Sequence, residues 1–108
     1  MYKGTIIENS LKDRSILDQI EVIKRYNLED WTLDDVLVKN EQIQNLQNCL
    51  DKGPWYIHLW EEGKDNIKVI FRDKIFDIKF SDKSSWINAV AYGKSIGIPE
   101  EQLDFLID

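Results

Sequence analysis

The chain has 108 residues, near the commonest domain length, and one domain is expected over residues 1–108. Its 43% hydrophobic and 31% charged content suits a globular fold around its own core, and no apolar run approaches the ~20 residues that span a bilayer. The formal net charge of -6, with Lys and Arg dispersed among acids, leaves no basic face for direct binding of DNA or RNA.

The opening MYKGTIIENS lacks the apolar stretch of a signal peptide. Cys49 is the single cysteine, so no internal disulfide forms and a cytoplasmic location is expected. Lys3 to Glu8 reads as a strand ending in the Asn9-Ser10 turn signal. Ser10 to Ser15 is a polar connector with room for one helical turn. The stretch ILDQIEVIKRY fits two periods. Ile16, Ile20 and Ile23 suit a helix, whereas Ile20 and Val22 with Lys24 and Tyr26 suit an alternating strand. We read a strand from Gln19 to Tyr26, a loop from Asn27 to Asp30, and a strand from Trp31 to Lys39. In that last strand the alternation is imperfect, because Leu37 is apolar beside Val36 and Val38. Asn40 is a favoured helix cap, Ile43, Leu46 and Leu50 form a stripe with Cys49 at its edge, and Gly53-Pro54 stops the helix.

Residues 55 to 80, WYIHLWEEGKDNIKVIFRDKIFDIKF, read as a three-stranded antiparallel meander. A three-residue loop Glu62-Gly63-Lys64 would pair Leu59 with Ile67, Ile57 with Val69 and Trp55 with Phe71. A turn at Asp73-Lys74 would pair Phe71 with Phe76, Val69 with Ile78 and Ile67 with Phe80. That register puts nine large apolar groups on one face, and a slip of one residue would turn them to water. A second helix is expected from Ser84 to Ile96, capped by Ser81 or Asp82, with Trp86, Ala89, Val90, Gly93 and Ile96 inward. Gly93 is placed to let the helix approach the sheet closely. The tail docks through Leu103, Phe105 and Leu106. The fold class is α+β: a mostly antiparallel sheet, a meander in the C-terminal half, and two helices packed on one face.

In this register the other face of the meander carries Tyr56, His58, Trp60, Ile70 and Arg72. Aromatic groups beside an arginine are the composition of contact surfaces. With Trp31 at a loop edge, these six residues are the candidate ligand- or partner-binding set. The alternative is that the N-terminal strands or a helix cover them.

WY at Trp55-Tyr56, IFRDKIF from Ile70 to Phe76 and YGKSIGIPEEQLDF from Tyr92 to Phe105 resemble a family of small uncharacterised bacterial and archaeal proteins. Glu8-Asn9-Ser10-Leu11 and Trp31-Thr32-Leu33 extend the resemblance over most of the chain, with a shorter segment before Trp31. The resemblance implies a single α+β domain and a strand over residues 19–26. It implies no catalytic residue.

Chemistry-bearing constellations are sparse. His58 is the only histidine, so any triad must use it, and a Cys49–His58 dyad needs the first helix on the His58 face. One Cys and one His do not make a zinc site, and Glu29, Asp30, Asp34 and Asp35 lack the glycine of a calcium loop. No phosphate-binding glycine motif occurs, and no cofactor is expected. The reading is a non-catalytic binding or protein-interaction module with a protein or small-molecule partner. The alternatives are a small enzyme with His58 as general base, and an acidic inhibitor that mimics nucleic acid.

Overall fold

The structure is a computed structural model that describes residues 1–105. Leu106, expected to dock with the tail, lies outside them. The elements are β1 (Tyr2–Ile7), β2 (Glu21–Leu28), β3 (Trp31–Val38), α1 (Ile43–Asn48), β4 (Ile57–Trp60), β5 (Asn66–Ile70), β6 (Ile75–Lys79) and α2 (Ile87–Ser95), with short 3-10 turns between them. The strands form one antiparallel sheet in the order β2-β3-β1-β4-β5-β6. This is the expected α+β class with its C-terminal meander. Of the stretch that fitted two periods, Ile16 to Asp18 belong to a 3-10 turn and Glu21 to Tyr26 to β2, which begins two residues later than Gln19. Glu29, at φ 57, takes the left-handed conformation in the tight turn where Leu28 pairs with Trp31.

The meander register differs from the expected one. Trp60 pairs with Ile67, Leu59 with Lys68 and Ile57 with Ile70. The connection is longer than three residues: Lys64 N–H bonds the Glu61 carbonyl at 3.1 Å, and the strands part from Glu61 to Asp65. This shift of one residue turns Ile57 and Leu59 to the side opposite Ile67 and Val69. At the next hairpin Phe71 N–H bonds the Lys74 carbonyl at 2.8 Å, so the turn centres on Arg72-Asp73 and Ile67 faces Ile78. That shift is two residues and leaves the faces unchanged.

The sheet is therefore apolar on both sides. On one face, Ile6, Val36, Val38, Ile57, Leu59 and Ile70 pack with Ile43 and Leu46 of α1, Leu50 just beyond it, and Leu11, Ile16, Leu17 and Ile20. On the other, Ile67, Val69, Phe71 and Ile78 pack with Trp86, Ala89 of α2, and Ile98, Leu103 and Phe105 of the tail. The two helices were expected on one face; they lie on opposite faces, because a sheet apolar on both sides needs cover on both. Burial of each such side chain stabilises the fold by about 1.5–3 kcal/mol.

Local chemistry sets the helix ends. Asp82 caps the turn leading into α2 by accepting from Ser84 N–H at 3.0 Å. Before α1 the capping group is Gln42 rather than Asn40: its Oε1 accepts from Lys39 N–H at 2.9 Å. Gly93 serves the tail, since a Cβ there would lie 2.6 Å from Leu103 Cδ2.

Candidate functional site

α2 and the tail cover the second face only over β4, β5 and β6. Over β2, β3 and β1 that face has no covering layer among the described residues. Strand alternation brings Lys3, Thr5 and Ile7 of β1, and Trp31, Leu33, Asp35 and Leu37 of β3, to this open half. β2 adds Tyr26, which pairs with Leu33. The wall between the covered and open halves is the outward row of β4 together with Tyr56 just before it. Its rings stand one after another, Tyr56 to His58 at 6.1 Å and His58 to Trp60 at 5.4 Å. Phe105 of the tail backs the row, 5.6 Å from Tyr56 and 5.9 Å from His58.

Two hollows lie against this wall and share Thr5. The first, about 380 Å³, is lined by Thr5, Ile7, Trp31, Leu33, Tyr56, His58 and Gln102. The second, about 240 Å³, is lined by Lys3, Gly4, Thr5, Ile23, Asp35, Val36 and Trp60. They meet at Thr5, forming a groove along β1: apolar and aromatic side chains at the Ile7 end, Thr5 and Asp35 in the middle, and Lys3 flanked by Ile23 and Trp60 at the other end. Trp31 is 39% exposed and meets Trp55 edge to face at 5.5 Å. The Tyr56 hydroxyl donates to the Gln102 carbonyl and ties the wall to the tail. Burial, with Asp104 nearby, pushes that phenol up to about 12.

The polar centre is Asp35. Its Oδ1 accepts from the Thr5 hydroxyl at 2.8 Å and the Tyr26 hydroxyl at 3.3 Å. Burial, then the neighbouring Asp35, raises the Tyr26 phenol above its ordinary range. Two lysines stand nearby. Lys3 pairs with Glu62 at 2.9 Å, and Lys24 places its ammonium 5.2 Å from the centre of the Tyr26 ring.

Of the six sequence-predicted residues, Trp31, Tyr56, His58 and Trp60 line this groove. Ile70 does not reach the surface: it is 0% exposed in the first core. Arg72 sits at the β5–β6 turn, pairs with Asp73 at 3.5 Å, and lines a separate hollow with Phe71 and Tyr92. Trp60 also packs against the cluster of Phe71 and Ile78, so it is half-buried wall rather than open surface. Sequence reasoning missed Thr5, Ile7, Leu33, Asp35 and Gln102. The available signal was the imperfect alternation of β3, which gives both of its faces apolar residues.

The other constellations resolve differently. Cys49 packs against the first core and its thiol is pushed up, mainly by burial, while His58 opens on the opposite face, so the dyad does not form. Among the described residues no three His, Cys, Asp or Glu side chains come together to hold a metal ion. On the first face, Asp34 is fully buried and Glu8 nearly so; Arg25 Nε lies 2.6 Å from Asp34 and 3.0 Å from Glu8. No described helix is long and apolar enough to cross a membrane.

No protein-family model, no curated protein and no solved structure matches the chain.

Proposed function

We propose that the chain is a protein-interaction module and that its contact surface is the open half of the second sheet face. The bare half-face supports this reading. The first face is closed by α1 and the turns around Leu11 to Ile20, and β4 to β6 are closed by α2 and the tail. On the same sheet Ile7, Leu33 and Leu37 stay half-exposed, and Trp31 more so. Exposed apolar and aromatic side chains around a few polar groups are the composition of a contact surface, and tryptophan and tyrosine are the residues that carry binding energy there. His58 contributes as part of the aromatic wall.

The test is site-specific photocrosslinking in cells. Benzoylphenylalanine in place of Trp31 is expected to give a discrete adduct that Leu33→Lys removes. The same group in place of Ile87, 64% exposed on α2, is expected to give none. No adduct from position 31, or equal adducts from both positions, would defeat the assignment.

A further inference from the structure

The groove lies in the face of the sheet and not along an edge. An extended peptide laid there would find β1 already paired on both sides, with β3 and with β4. Its own backbone N–H and C=O groups would be left without partners as they lost water. An α-helix satisfies its backbone internally and needs only side-chain contacts. The dimensions agree. Three strands make a strip roughly 14 Å wide, against about 10–12 Å for a helix with its side chains. α2 already packs in that way on the neighbouring half of the same face.

The pattern along the groove is equally specific. From Ile7 through Thr5 to Lys3 the same-face residues step by about 6.6 Å, which is close to one helical turn. One end offers Ile7, Leu33, Trp31 and the Tyr56 ring. The other offers Ile23 and Trp60 on the two flanks, with the stem of Lys3 between them. Between the two ends stands the carboxylate of Asp35, oriented by Thr5 and Tyr26. Lys3 is engaged by Glu62, and Lys24, opposite Asp35 on β2, turns its ammonium over the Tyr26 ring. The chain's net charge of -6 adds a long-range attraction for cations.

Resting on the interaction-module reading, we propose that the occupant is an amphipathic α-helix of a partner protein, with two apolar residues about two turns apart and a lysine or arginine between them that pairs with Asp35. The partner helix lies along β1 beside the Tyr56–His58–Trp60 wall. Asp35 selects its register, since only one placement brings the cation to the carboxylate while both apolar groups fill the ends.

The experiment is selection from a displayed library of randomised 16-residue peptides on the full chain, in parallel with Asp35→Asn and Leu33→Lys. Asparagine keeps an acceptor for Thr5 and Tyr26 and removes the charge. The expected winners are helix-forming sequences with Lys or Arg three or four residues from apolar positions on either side. Their affinity should fall about tenfold or more on Asp35→Asn and be lost on Leu33→Lys. Winners that need Leu33 but bind Asp35→Asn equally well, or that are proline-rich and extended, overturn the basic-helix proposal and leave the contact surface standing. Winners indifferent to Leu33→Lys overturn the contact surface too. A selection that yields no helix overturns the proposal. So does a concentration-dependent dimer in sedimentation that Leu33→Lys dissociates, because the face then belongs to a second copy of the chain.

Discussion

Asp34 is a carboxylate with no exposure, and Glu8 beside it is only 9% exposed. Arg25, on the edge strand, reaches both. Glu8 Oε2 and Asp34 Oδ2 are both buried, and Glu8 Oε2 also meets Arg25 Nε. Burial raises the Glu8 carboxyl first; the hydrogen bond and charge of Asp34 raise it further, while Arg25 and Arg14 pull it down. An acid held above its unfolded value favours the folded state at low pH. That contribution is lost as pH rises through the folded value. Glu8→Gln keeps the shape and cannot ionise. It is therefore expected to be more stable than the parent at pH 7 by about 1 kcal/mol, with the gain fading towards about pH 4. Urea unfolding across that pH range measures it. A variant weaker than the parent at pH 7 would mean that the attraction of Arg25 for Glu8 exceeds the cost of burying it.

At the scale of elements, β1 is the central joint, because it pairs with β3 on one side and β4 on the other. Gly4 makes that joint possible: a Cβ there would lie 2.5 Å from Leu59 Cδ2 and 2.8 Å from the His58 carbonyl oxygen. A leucine tip can rotate away; a backbone carbonyl in a sheet cannot. Gly4→Ala is expected to destabilise by about 1–3 kcal/mol and to disturb the His58 wall, seen as changed near-ultraviolet dichroism. An unchanged melting temperature would show that β1 and β4 have slack between them. Little of this joint was legible beforehand. The alternation of Lys3 to Glu8 announced a strand, but nothing local says which strands flank it. The order 2-3-1-4-5-6 depends on contacts between residues far apart in sequence.

For the molecule as a whole, the asymmetry of cover has a consequence for tolerance. Leu33 and Val36 lie on one strand and differ only in face: Leu33 is half-buried on the open side, and Val36 is 1% exposed in the core. Leu33→Lys can lay its stem on the sheet and keep its ammonium in water, so its stability is expected to change by less than about 1 kcal/mol. Val36→Lys buries an unpaired charge and is expected to prevent folding. Chemical denaturation of both compares them. A large loss for Leu33→Lys would mean that the open strip is structural.

The residues themselves determined what is local. Alternating apolar groups defined the strands and Ser81 or Asp82 the entry to α2, and the α+β class followed from the order of elements; α1 ends at Asn48, ahead of the Gly53-Pro54 stop. The candidate wall was legible too, since Tyr56, His58 and Trp60 alternate on one strand whatever its neighbour does. Tertiary structure alone decided the pairing of β4 with β5, hence the opposite placement of α1 and α2, the burial of Ile70, and the open strip across β1 and β3. The reason is that both faces of β4 are apolar enough to be buried. Pairing Leu59 with Ile67 or with Lys68 is locally similar in cost. The choice falls to distant groups: Leu46 and Val36 gather Ile57 and Leu59 on one side, and Leu103 and Phe105 gather Ile67 and Val69 on the other.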